Sequence, residues 1–286
     1  MKYLVTGTTG QLGYDVVREL EKRGCTNIVK TNRENMDLAD EQIVREVIAK
    51  EKPDVVIHCA AYTNVDGAED DKDNCMFINA TATKWLAEAC EELGAKFMYI
   101  SSDYVFDGSK DGFYEPNDVK DPLNVYGKSK SDGEEYALLN PKTFVVRTSW
   151  VFGINGKNFV KTMLRLSETK TELSVVNDQI GSPTYTKNLA KLLVDMSLTD
   201  KYGIYHATNE GFCSWYDFAK KIFELTNTTI LLNSIPSEEY PQKAKRPKNS
   251  RLSKECLVQN GFEKLPNWED SLKEYLEELT NLQENN

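Results

Sequence analysis

Tyr126 and Lys130 stand four residues apart in the segment 125–139 (VYGKSKSDGEEYALL), whose pattern predicts a helix, so the two side chains share one face. An ammonium beside a phenol favours the phenolate and lowers a pKa that otherwise lies near ~10, bringing proton transfer into range around neutral pH. Ser102 follows the strand-like run 96–101 (KFMYIS), where its hydroxyl can bond both a substrate carbonyl oxygen and the tyrosine. Together the three suit reduction of a carbonyl. The spacing alone is a weak signal, because Tyr216 and Lys220 match it too. No serine-tipped strand precedes that second pair, which reads as packing.

Such groups need a hydride donor, and the start of the chain supplies a place for one. Residues 4–13 read LVTGTTGQLG, with Gly7, Gly10 and Gly13 between the first predicted strand and the first predicted helix. Small residues there allow a pyrophosphate to approach backbone N–H groups at a helix N-terminus. The run 27–30 is followed by Thr31-Asn32-Arg33, with no acid at the strand tip to hold a ribose 2′-hydroxyl. Arg33 suits a 2′-phosphate, which favours NADPH. Glu34 or Asp37 on the ribose is the alternative, and leaves NADH open.

The elements that must position these groups alternate. Runs 2–6, 27–30, 54–59, 96–101 and 143–148 read as buried strands, and 11–23, 40–51, 79–93 and 125–139 as amphipathic helices. This predicts an α/β fold with a Rossmann-like, doubly wound parallel sheet that binds ligands beyond its carboxyl edge. After about residue 150 the rhythm breaks. A Gly/Asn-rich stretch, 153–158, leads to a helix at 157–169, a strand at 172–177, helices at 186–197 and 214–226, and a proline-rich basic segment near 236–254. The expected organisation is a dinucleotide-binding domain over 1–150, joined by part of 172–200, and a smaller mixed substrate lobe over 151–286.

Composition narrows the remaining classes. The 286 residues carry 45 acids and 35 bases, a formal net charge of −10, with 40% hydrophobic and 28% charged residues. That balance argues for a globular protein and against broad nucleic-acid binding, and no apolar run approaches the ~20 residues of a membrane span. His58 and His206 are the only histidines, and none of the six cysteines forms a C-x-x-C pair, so no metal site is expected. Cysteines within apolar stretches and an N-terminus that begins a strand at once point to a cytoplasmic protein.

The spacing Gly7-x-x-Gly10-x-x-Gly13 resembles the fingerprint of extended short-chain dehydrogenases/reductases. More specifically, GTTGQLG, HCAAYTNVDGAE, ISSDYVFDG, YGKSK, RTSWVFG, NDQIGSPT and KRPKNSRLS, in that order, resemble the dTDP-4-dehydrorhamnose reductase family over nearly the whole chain. The resemblance implies hydride transfer from a nicotinamide cofactor to C4 of dTDP-4-dehydro-L-rhamnose, with Tyr126 as proton donor, Lys130 on the nicotinamide ribose, and Ser102 where many members carry Thr. It implies cofactor contacts at Gly7, Thr9, Gly10, Gln11, Leu12, Gly13, Arg33, Asp37, Leu38, Ala60, Ala61, Tyr62, Asn79, Tyr126 and Lys130. Substrate contacts would come from Thr63, Val65, Ser102, Asp103, Tyr104 and Trp150. The run 243–254 (KAKRPKNSRLSK) has six bases and no acid, and Arg246 is its best donor to a diphosphate.

Asp103-Tyr104 replaces the Asp-Glu pair of related dehydratases, so the second acid for loss of water is missing. Some family members pair through magnesium held by glutamates. Asp15 matches one ligand, but Lys187 lies where an acid is expected, so no such site is predicted and a homodimer stays an open alternative. The alternative function is a non-catalytic NADP-binding regulatory subunit of the same fold, like that of methionine adenosyltransferase. The complete Ser102, Tyr126 and Lys130 set favours the enzyme.

Overall fold

The structure, a computed structural model, describes residues 1–284. Five strands, β1 (Tyr3–Thr6), β2 (Ile28–Lys30), β3 (Val55–His58), β4 (Lys96–Ser102) and β5 (Thr143–Thr148), join Gly203–His206 in one all-parallel sheet. The spatial order runs β2, β1, β3, β4, β5, then Gly203–His206. The direction in which successive strands are added reverses between β1 and β3, which makes their carboxyl ends the switch point where a crevice opens.

Side-chain alternation makes the sheet a two-faced core. Tyr3, Val5, Val55, Ile57, Met98, Phe144 and Val146 point to one face, under the helices Gln11–Lys22 and Thr186–Ser197. Leu4, Val56, Phe97, Tyr99 and Val145 point to the other, under Glu41–Glu51 and Ala82–Leu93. Helix boundaries follow their caps. Asp40 accepts hydrogen bonds from the backbone N–H groups of Gln42 and Ile43 at 2.9 and 3.1 Å, while Gly94 closes Ala82–Leu93 at φ 68°.

Two expectations need correction. The segment 79–93 is not one uniform helix: Lys72–Met76 runs into a π-helical turn, Phe77–Thr81, before Ala82–Leu93. That turn carries the buried Asn79, whose side chain bonds backbone elsewhere instead of facing solvent. Second, within 172–200 only the helix Thr186–Ser197 returns to the sheet. Glu172–Val176 pairs in parallel with Leu231–Ile235 outside it, and the strand that extends the sheet lies beyond, at Gly203–His206.

The rest of the second half packs around an aromatic core in which Phe152, Tyr185, Phe218 and Tyr275 meet within 6 Å of one another in successive pairs. Short ladders stitch it together: Val151–Phe152 with Thr184–Tyr185, and Ile180–Gly181 with Cys213–Ser214. No helix among the described residues is long and apolar enough to cross a membrane.

Candidate active site

A cleft of about 1040 Å³ runs along the carboxyl edge from the tip of β2 to the second lobe. Its floor at the switch point is set by glycine. Gly7 has φ +66°, and a Cβ there would lie 2.8 Å from the Ala60 backbone, while a Cβ on Gly13 would lie 2.4 Å from the Gly7 carbonyl oxygen. Only glycines allow the loop, the first helix and the end of β3 to pack this closely. Gly10 caps the helix Gln11–Lys22 without a side-chain bond, so its first N–H groups face the cleft uncapped. Thr6 clamps the two strand ends: its Oγ1 accepts from the Ala60 N–H at 3.0 Å and lies 2.8 Å from His58 Nδ1. Burial holds His58 neutral, with its pKa down at about 3.

Further along, β4 delivers Ser102 and the helix Val125–Ala137 delivers Tyr126 and Lys130. Asn124 starts that helix by accepting the Gly127 N–H at 2.7 Å. Two glycines then fix how close it comes. A Cβ on Gly127 would meet the Tyr104 carbonyl oxygen at 2.2 Å, and one on Gly133 would meet the Tyr99 hydroxyl at 2.2 Å. Glu134, one turn beyond Lys130, forms a bidentate pair with Arg147 of β5 at 2.7 and 2.8 Å, and accepts the Ser101 hydroxyl at 2.6 Å. Both charges are essentially fully buried.

The reacting groups are therefore preorganised. Ser102 donates to Asp103 Oδ1 at 2.8 Å and accepts the Tyr104 N–H at 3.2 Å, and its hydroxyl partly opposes the effect of burial on the Tyr126 phenol. Tyr104 packs edge-on against Tyr126 at 5.7 Å. Burial pushes the Asp103 carboxyl up to about 6, opposed by hydrogen bonds from serine hydroxyls. The Lys130 ammonium lies 4.2 Å from the centre of the Tyr99 ring, and burial lowers its pKa to about 7 despite the pull of Glu134. Burial also raises the Tyr126 phenol well above the ordinary tyrosine range. This corrects the expectation that Lys130 depresses it: a desolvated lysine that is itself close to neutral exerts little pull on a desolvated phenol.

Of the residues expected around the cofactor, Gly7, Thr9, Gly10, Gln11, Leu12, Arg33, Asp37, Leu38, Ala60, Ala61, Tyr62, Tyr126 and Lys130 line the cleft. Gly13 and Asn79 do not. Gly13 serves the packing described above. Asn79 accepts the Tyr62 N–H at 2.8 Å and donates to the Tyr62 carbonyl and to Ser129, locking the turn after β3 onto the catalytic helix. Thr63, Val65, Ser102, Asp103, Tyr104 and Trp150 also line the cleft, as expected of substrate contacts.

The basic run behaves differently. None of residues 243–254 lines the cleft. Lys243 pairs with Asp70, Lys248 with Asp178 and Glu238, and Lys254 with Glu210. Arg246 forks onto Asp66, and only its charge bears on Tyr104 of the site. Acids distant in sequence absorb the charge that made the run look like a diphosphate site.

Sequence reasoning missed Trp215, Phe159 and Lys157, which line the cleft from the second lobe. Trp150 sits at φ 48°, unusual for a bulky residue, and stacks on Trp215 with ring centres 3.7 Å apart. Gly181 makes room, since a Cβ there would lie 2.7 Å from the indole. The Gly/Asn-rich stretch 153–158 is the signal in the sequence for Lys157 and the adjoining Phe159.

Around Asp15 the carboxylate bonds Thr186 and Arg18, and Lys187 pairs with Glu274 and Glu278. No group of three or more His, Cys, Asp or Glu side chains among the described residues is placed to hold a metal ion.

Residues 1–281 match the family model of the RmlD substrate binding domain. The chain belongs to that family. It is 42% identical over 278 residues to the spore coat polysaccharide biosynthesis protein SpsK of Bacillus subtilis (strain 168), covering 97% of each chain. The dTDP-4-dehydrorhamnose reductase of Clostridium acetobutylicum superposes with a TM-score of 0.95 at 41% identity, covering 98% of this chain and all of that one. That of Bacillus anthracis, solved in complex with NADP, gives 0.94 at 41%, covering 97% of this chain and all of that one. The two reductase structures thus share the fold of this chain over nearly its whole length.

Proposed function

We propose that this protein reduces the C4 ketone of dTDP-4-dehydro-L-rhamnose to give dTDP-L-rhamnose. The observation that carries the reading is that Ser102, Tyr126 and Lys130 line one cleft beyond a glycine loop, with Lys130 buried one helical turn from Tyr126. The glycine cradle, its uncapped helix start and the residues of the turn after β3 fit a dinucleotide. NADPH, when bound, supplies the hydride for C4. The Tyr126 hydroxyl gives its proton to the ketone oxygen, so that a C–H and an O–H bond replace the carbonyl π bond. A phenol raised by burial is fully protonated at neutral pH, as an acid for this step must be. Ser102 hydrogen-bonds the same oxygen and holds Tyr126, while Asp103, Tyr104 and Trp150 orient the sugar. Arg246 supports Tyr104 from behind.

Arg33, exposed at the tip of β2 with no ion-pair partner among the described residues, selects the 2′-phosphate of NADPH over NADH. Six free thiols, three of them buried, suit the reducing cytoplasm. The test is product analysis. Incubation with dTDP-4-dehydro-L-rhamnose and NADPH should yield dTDP-L-rhamnose, identified by NMR, one for each NADPH oxidised. Tight NADP binding with no turnover would instead identify a binding subunit.

A further inference from the structure

The glycine loop provides backbone N–H groups for a dinucleotide diphosphate but no charged side chain between Gly7 and Leu12. Three cations line the cleft: Arg33, Lys130 and Lys157. Arg33 stands at the far tip of β2, and Lys130 is buried against the Tyr99 ring. Thr31, two residues before Arg33, holds Thr8 of the glycine loop at 3.1 Å, whereas Lys157 belongs to a segment that reaches the loop from the second half of the chain.

That segment, 153–158, is tied down on both sides. Asn155 Nδ2 donates to the carbonyls of Thr9 and Gly10 at 2.7 and 3.2 Å, and Asn158 Nδ2 donates to Gln11 Oε1 at 3.1 Å. Gly156 turns the chain over Gln11 at φ +74°, a conformation that favours glycine. From beneath, the Lys161 ammonium donates to the carbonyls of Ile154 and Gly156, the latter at 3.0 Å. The two lysines therefore divide the work. Lys161 fixes the loop, and Lys157 is left exposed on the cleft wall with no acid paired to it among the described residues.

We propose that Lys157 is the cation that meets the diphosphate of the bound dinucleotide, carried there by a strap from the second lobe across the glycine loop. This rests on the nicotinamide reading above, and adds to it that both lobes hold the cofactor. A charge-assisted contact to a phosphate is stronger than a neutral hydrogen bond, and an ammonium at the rim of a half-enclosed cleft is only partly screened.

Isothermal titration calorimetry of the full chain tests it, with NADP⁺ in one arm and dTDP in the other. Lys157→Gln should weaken NADP⁺ about tenfold, a loss of roughly 1.4 kcal/mol, with dTDP affinity unchanged. Lys157→Arg should restore NADP⁺ binding, and Lys170→Ala, an exposed lysine elsewhere, should match wild type. Because the Lys157 ammonium has no partner among the described residues, thermal unfolding of the free variant should be unaltered. The proposal is overturned if Lys157→Gln binds NADP⁺ as tightly as wild type, or if dTDP affinity falls instead, which would assign the cation to the sugar nucleotide. Failure of wild type itself to bind NADP⁺ would bring down the nicotinamide reading, and the strap with it.

Discussion

At the scale of residues, the site works by withholding water from groups that would otherwise be ordinary. Asp103 illustrates the thermodynamic consequence. Its carboxyl titrates at about 6 in the folded protein, above its value in the unfolded chain, because burial disfavours the carboxylate. A raised folded pKa contributes stability that is fully present below about pH 4. That contribution is lost as pH rises through about 6. Urea unfolding should therefore show Asp103→Asn gaining on wild type between pH 4 and 7, by up to roughly 3 kcal/mol. Parallel curves over that range would show the carboxyl to be well solvated. Arg33 offers a second test, of cofactor choice. Arg33→Ala should raise the KM for NADPH about tenfold, the loss of one charge-assisted bond, and leave that for NADH nearly unchanged. Equal effects on both cofactors would remove Arg33 from 2′-phosphate recognition.

At the scale of elements, the helix Val125–Ala137 is held by a buried ion pair and by two glycines that a propensity scale would place outside a helix. Opening the Glu134–Arg147 fork leaves one charge stranded in the core, so Arg147→Met should cost about 3–5 kcal/mol in chemical denaturation. A loss under 1 kcal/mol would mean that Glu134 simply protonates. Gly133→Ala, which raises intrinsic helix propensity, should nonetheless destabilise the protein and lower activity, because its methyl group would collide with the Tyr99 hydroxyl and the Asn79 carbonyl.

These contacts also mark what the sequence could and could not reveal. The five strands of the first half and the Tyr126, Lys130 and Ser102 set were legible, because period-2 burial and i,i+4 spacing are local signals. The π-helical turn around Asn79 was not, since its cause is a bond to Tyr62, seventeen residues away. Nor was the Trp150–Trp215 stack, which depends on Gly181 pairing with Cys213.

At the scale of the whole molecule, charge is the instructive quantity. A chain of net charge −10 binds, on this account, two anions in one cleft. The basic run 243–254 drew attention in the sequence, yet its cations are largely matched by Asp66, Asp70, Asp178, Glu210 and Glu238, partners that only folding brings near. Within the cleft, exposed cations with no acid paired to them among the described residues stand at Arg33 and Lys157, on opposite sides of it. Occupying the cleft should therefore bind the lobes to each other. Saturating NADP⁺ at about 100 times its Kd should stabilise the protein by about 2.7 kcal/mol, and native-state hydrogen exchange should slow in both the glycine loop and residues 153–158. Protection confined to the first lobe would contradict a shared site.

The central claim is that Tyr126 is the proton donor of a C4 ketone reduction. Steady-state oxidation of NADPH in the presence of dTDP-4-dehydro-L-rhamnose tests it most directly, comparing wild type with Tyr126→Phe. The account predicts turnover by wild type, a fall in kcat of about 10²–10⁴-fold in the variant, and unchanged NADP⁺ affinity. A wild type inert toward this ketone, or a phenylalanine variant that turns over as fast, would contradict it.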